Sequence, residues 1–236
     1  MMTDKEFREL ELKASIAPSQ SQWPTDYVYW QHLGTAAKEA RSGLGKFLEV
    51  VDEIEGDPRL SREGKAEGRK KAAEKALSAL MDSTTLARAQ ESVASVMQKW
   101  EAKVAEGVKR ASDAHEAGIH AQIREKLARM KDVRERMVFL EQHGADPTLA
   151  SAVLSAPAFL SDLTEGELTF VRSKVEQRAL SPEVIESKVA VAKALREVEI
   201  GWERAKARIT SGGGLEKSSK GSGQSAAILT VPLCTV

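Results

Sequence analysis

At 236 residues, with 35 Lys and Arg balancing 35 Asp and Glu, the chain has room for one large domain or two small ones, and its charge excludes electrostatic attraction as a reason to seek nucleic acid or an anionic membrane. Leu, Ile, Val and Phe make up only about 22% of it, near the level below which chains tend toward disorder, while Ala, Glu, Lys and Arg are abundant. That is the composition of long helices. The lone Cys234 excludes an intramolecular disulfide, and no stretch approaches the ~18–20 apolar residues that span a bilayer.

The opening Met1-Met2-Thr3-Asp4-Lys5-Glu6 lacks the basic and apolar regions of a secretory signal, and Cys234 stands one place short of a prenylation box. A cytoplasmic setting is the expectation. Residues 3–13 read as a short helix capped by Thr3 or Asp4, with Phe7, Leu10 and Ala14 on one side. A polar linker, Ser15 to Gln22, contains Pro18. A second helical start is expected at Trp23-Pro24, where Trp23, Tyr27 and Trp30 fall at i, i+4 and i+7 on one face. Gly34, Gly43 and Gly45 weaken the run, yet Phe47, Leu48, Val51 and Ile54 keep helical spacing to a stop at Gly56-Asp57-Pro58. Residues 1–58 thus form an N-terminal helical segment with an aromatic cluster.

Residues 59–144 read as a long-helix region. One helix starts at Ser61 and runs through Ala72, Ala76, Leu77 and Leu80 to about Asp82, where Asp82-Ser83-Thr84 can cap the next. Beyond it, Leu86, Val93, Met97, Trp100, Val104, Val108, Ala111, Ile119, Ile123, Leu127, Met130, Val133, Met137 and Leu140 form one stripe. Its mean step of about 3.6 residues predicts a nearly straight helix packed on neighbours more than a strict heptad coil. Unbroken, about 58 residues would extend on the order of 85–90 Å, so the helix either protrudes or breaks near Gly107 or Gly118. A narrow apolar stripe needs another helix to cover it. The helices expected at 61–82 and 182–209 are too short to do so, which predicts self-association through residues 84–142.

Residues 145–210 are expected to form a small C-terminal helical domain. Asp146-Pro147 opens a helix with Leu149, Val153 and Leu154, and Ala156-Pro157 ends it. Phe159, Leu160 and Leu163 lead to a cap at Thr164, with Glu167 completing a capping box ahead of Leu168, Val171 and Val175. Ser181-Pro182-Glu183 opens a final helix carrying Val184, Ile185, Val189, Ala192, Leu195, Val198 and Trp202 and ending near Ile209. Residues 211–236 read as a flexible Gly/Ser tether with an apolar, β-prone end from Ala226 to Val236. That end is either a docking peptide for a partner's sheet edge or groove, or a folded-back strand or disordered terminus.

Chemical motifs fail on spacing. His115 and His120 stand at i and i+5, about 140° apart around a helix, whereas two ligands for one metal need i and i+4. Gly212-Gly213-Gly214 before Lys217 lacks the spacer and Gly-Lys-Ser/Thr element of a phosphate loop, and Gly43-Leu44-Gly45-Lys46 has no framing strand. No serine sits in a nucleophile elbow, and Cys234 has no fixed base beside it. Arg69-Lys70-Lys71 with Lys65 and Lys75 is interleaved by Glu63, Glu67 and Glu74, as on an ordinary solvated helix. Trp23, Tyr27, Tyr29 and Trp30 hold four of eleven aromatic residues, a cluster that either anchors an interface or staples an N-terminal helix to a core.

Two stretches resemble phrases in helical proteins of tailed-phage and prophage structural modules: Glu55-Gly56-Asp57-Pro58-Arg59-Leu60-Ser61-Arg62-Glu63-Gly64-Lys65, and Asp146-Pro147 through Ala152-Val153-Leu154-Ser155-Ala156-Pro157 to Leu163-Thr164. Some such proteins serve head assembly as scaffolds or accessories, so the resemblance implies a virion-assembly setting, in host cytoplasm or virion. The expectation is an all-α, extended bundle or coiled-coil-like protein without catalytic, cofactor or metal residues, acting by protein contacts as a homo-oligomer and not on membranes. Interface candidates are Val93, Met97, Trp100, Val104, Val108, Ile119, Ile123, Leu127, Met130, Met137, Trp23, Tyr27, Trp30, Ile228, Leu229 and Val231. The alternative is a nucleic-acid-associated helical protein using Lys65 to Lys75 and the basic 171–220 segment.

Overall fold

A computed structural model describes residues 4–215, with side chains from Arg8 onward. Among the described residues the fold is all-α and contains no strand: α1 (Asp4–Ser15), α2 (Val28–Gly56), α3 (Arg62–Asp82), α4 (Thr85–Glu106), α5 (Ala114–Arg129), α6 (Val133–His143), α7 (Pro147–Leu154), α8 (Glu165–Ala179) and α9 (Pro182–Gly212), with 3-10 turns at Pro18–Gln22 and Ala158–Leu160. The chain divides into two compact units. Among the described residues, the first takes in those up to Val96 together with those from Ala190, and the second is Met97–Val189. This grouping differs from divisions at 58, 144 and 210, because periodicity shows which face of a helix is buried without showing against what.

The first unit is organised by α2, whose buried face reads Leu33, Ala36, Ala37, Ala40, Leu44 and Phe47. Small side chains at that helical spacing let neighbouring helices approach closely. α3 returns antiparallel to α2, with Gly43 opposite Leu80 and Gly68 opposite Ile54, and Arg69 meets Glu55 at 2.7 Å. α9 contributes Val191, Ala194, Val198, Trp202, Ala205 and Ile209, and the first turns of α4 contribute Ala89 and Val93, all buried.

The second unit folds around Leu127 of α5, Leu140 of α6, Leu149, Ala150 and Val153 of α7, Leu163, and Leu168, Val171 and Val175 of α8. One ion pair runs through it. Arg136 donates from Nε to Glu167 Oε1 at 2.7 Å and from Nη2 to Oε2 at 3.2 Å, and both side chains are buried. Glu167 also closes the capping box with Thr164 that the sequence marks. Its carboxylate is opposed by burial, which raises its pKa, but the Thr164 backbone N–H, Arg136 and the Thr164 hydroxyl together hold it below the usual range.

The stripe of residues 84–142 is not one helix. It is divided among α4, α5 and α6, with breaks at 107–113 and 130–132, while Gly118 lies inside α5. Both breaks have a physical cause in an Asp cap. Asp113 Oδ1 accepts from Glu116 N at 2.8 Å, and Glu116 reaches back to Ser112 N at 2.7 Å. Asp132 Oδ1 accepts from Arg134 N at 2.8 Å. Between the helices, Lys109 N donates to Ser151 Oγ at 3.0 Å, tying the 107–113 segment to α7. The helix ends are therefore satisfied without continuing the spiral.

Candidate interaction surface

The aromatic cluster sits on the first unit, where α1 gives way to α2. Ile16 is fully buried, and Ala17 takes left-handed backbone angles of φ 50 and ψ 65 to turn the chain into the Pro18–Gln22 turn. Ser19 fixes that turn: its Oγ donates to Glu197 Oε2 of α9 at 2.6 Å and accepts from Trp23 Nε1 at 2.8 Å. Gln20 Nε2 donates to Gly34 O at 3.1 Å. A series of bends follows and brings Tyr27 to the N-cap of α2, four residues later than the expected start at Trp23-Pro24.

This path arranges the rings by depth. Trp30 is buried at 3% exposure, with its Nε1 unpartnered among the described residues. Trp23 lies 5.7 Å from Trp30 between ring centroids and is half-buried. Tyr29 lies 5.8 Å from Trp30, and Tyr27 stacks on Tyr29 at 5.4 Å with an interplanar angle of 13°. Tyr27 is 57% exposed and its neighbour Val28 60%. The result is a shelf of apolar and aromatic surface whose base is packed into the core and whose outer ring faces solvent. Rings fixed in this way present contact area at little further entropic cost.

The remaining interface candidates lie elsewhere and deeper. Val93 and Leu127 are buried, and Met97, Trp100, Val104, Val108, Ile119, Ile123, Met130 and Met137 are half-buried. Val104, Val108, Ile123, Met130 and Met137 pack on the core of the second unit. The seam that demanded an external helix is thus covered to a large extent by α7 and α8. Ile228, Leu229 and Val231 lie outside the described residues.

Phe159 and Leu160, which the sequence places on the approach to the cap at Thr164, lie in the Ala158–Leu160 turn, 79% and 44% exposed. Pro157 before them was the available signal, since it favours extended backbone and stops α7 from continuing. The described residues include two open clefts. One, about 430 Å³, is lined by Gln122, Glu125, Lys126, Arg129, Met130 and Glu135. The other, about 550 Å³, lies beside the end of α9.

On α3 the basic run is locally neutralised: Lys71 pairs with Glu67 at 2.7 Å, Lys70 with Glu74 at 4.0 Å and Arg69 with Glu55, while Lys65 Nζ donates to Glu55 O at 2.5 Å. His115 is exposed and His120 buried on α5, and no cluster of three or more metal-ligating side chains occurs among the described residues. Carboxylates held below their usual range belong to caps and pairs: Asp57 beside Arg59, Glu67 beside Lys71, and Glu116 on Ser112. No helix of the described residues is long and apolar enough to cross a membrane. No family model, curated protein or solved structure matches the chain.

Proposed function

We propose that this chain is a non-enzymatic helical interaction protein, and that it self-associates through the shelf of Trp23, Tyr27, Val28 and Tyr29. The observation that carries this reading is the exposed Tyr27 ring, stacked on Tyr29 and continuous with exposed Val28. Aromatic residues packed at the base and open at the tip are the usual anchors of protein interfaces. A second copy suits the shelf because equal numbers of basic and acidic residues leave copies with no net repulsion. Virion assembly is the setting that the resemblance of residues 55–65 and 146–164 gives this role. Nucleic-acid binding through α3 has less support, since Arg69, Lys70 and Lys71 already pair with carboxylates.

Sedimentation velocity over a concentration series tests the proposal. The natural chain should associate as concentration rises, and Tyr27→Ser with Val28→Ser should remain monomeric while keeping its helical signal. A natural chain that stays monomeric throughout, or a double variant that associates as well as it does, overturns the proposal.

A further inference from the structure

The aromatic shelf does not complement itself in charge. Residues 23–31 carry one charged group, Asp26, which is exposed and has no hydrogen bond or ion pair among the described residues. A shelf laid on a shelf would set Asp26 against Asp26, and like charges facing each other at an interface oppose association. The shelf therefore calls for a surface that combines cations with apolar area.

α9 presents such a surface on the same unit. Lys193, Arg196 and Ile200 stand at i, i+3 and i+7, on one face of the helix. It is the face opposite the buried Val191, Ala194, Val198 and Trp202. All three are exposed, Ile200 to 42%. Neither cation has a hydrogen bond or ion pair among the described residues. Glu197 and Glu199, the acidic residues of that stretch, are engaged elsewhere, accepting from Ser19 Oγ at 2.6 Å and Gln90 Nε2 at 2.8 Å. Shelf and stripe also border one turn: Glu197, next to Arg196, holds Ser19, and Ser19 holds Trp23.

We infer that the occupant of the shelf is the Lys193, Arg196 and Ile200 face of a second copy, an assignment that rests on the shelf being the self-association surface. Charge complementarity selects it. The two cations meet the lone Asp26 carboxylate and the exposed Tyr27 ring, which attracts a cation to its face, and Ile200 meets exposed Val28. Because both surfaces flank the same turn, a two-fold axis lets each copy give its shelf to the stripe of the other, so the contact closes as a dimer.

Charge exchange between two variants tests the assignment at exposed positions only. Lys193→Glu with Arg196→Glu should weaken self-association at least about ten-fold in sedimentation velocity, and so should Asp26→Arg. Mixed in equal amounts, these two variants should dimerise as the natural chain does, because each altered surface then meets its opposite on the other chain. Undiminished association of the Lys193→Glu, Arg196→Glu chain, or a mixture that stays monomeric, overturns the inference. If that chain associates while Tyr27→Ser with Val28→Ser does not, the shelf stands and the stripe is not its partner. A natural chain that never associates removes both.

Discussion

Gly201 of α9 faces Ile16 so closely that a Cβ at position 201 would lie 2.7 Å from Ile16 Cγ2 and 3.1 Å from its Cα. The second of these atoms is backbone, so the neighbour cannot simply rotate away. The contact sets α9 against the joint that turns α1 toward the aromatic shelf. Three residues upstream of Gly201 in sequence, Val198 is buried in the same core, and Glu197 beside it holds Ser19.

Gly201→Ala should therefore lower stability by about 1–3 kcal/mol, since overpacking outweighs the ~1 kcal/mol that alanine gains in a helix. Gly118→Ala is the contrasting substitution, because a Cβ there meets nothing within 4 Å. It should raise stability by about 0.5–1 kcal/mol. Urea unfolding midpoints of the two variants, measured side by side, check both signs.

Replacing Glu167 by Gln leaves Arg136 buried without a counter-charge and should cost about 3–5 kcal/mol at neutral pH. Combining Glu167→Gln with Arg136→Met removes the stranded charge and should recover part of that loss. The pH dependence has a definite sign. Glu167 lies below its ordinary value of 4.5 in the fold, so its contribution is complete above that value and is lost as pH falls through the lower folded one. The natural chain should lose stability on acidification below about 4.5, and Glu167→Gln should show a shallower acid limb. Thermal unfolding at a series of pH values measures the difference.

Ser19→Ala breaks two hydrogen bonds at once, leaving Trp23 Nε1 without its acceptor and Glu197 Oε2 with only the Ser19 backbone N–H at 3.3 Å. Because the site is only part-buried, water replaces some of the loss, and a cost of about 1 kcal/mol is expected. The telling readout is local. Ring-proton shifts of Tyr27 and Tyr29 should move in the variant, and self-association should weaken although neither ring is altered.

Much of the fold was legible where one residue states its own role. Ser61 caps α3 by accepting from Gly64 N, Asp146 caps α7, and Thr164 with Glu167 opens α8, each as its local sequence requires. The break at 107–113 is the expected stop near Gly107, whereas the break at 130–132 was missed although its signal was present. Asp113-Ala114-His115-Glu116 and Asp132-Val133-Arg134-Glu135 both follow the Asp-x-x-Glu pattern of a helix start. The stripe stayed in phase across both breaks because Val108 and Met130 still pack inward, so periodicity alone concealed them. The Arg136–Glu167 pair was not legible, as its members are 31 positions apart and nothing local marks a charge for burial. At the shelf, the i, i+4, i+7 spacing put Trp23, Tyr27 and Trp30 on one helical face, whereas Trp23 and Tyr27 precede α2. It could not rank them by depth, since Trp23 precedes the helix and depth follows from the Ser19–Glu197 contact.

Hydrogen exchange at low and high protein concentration tests the central claim most directly, because it locates the contact without altering a residue. Self-association through the shelf predicts added protection at high concentration for amides in residues 23–31, with those in 97–140 unchanged. Added protection confined to 97–140, or none anywhere, would contradict it.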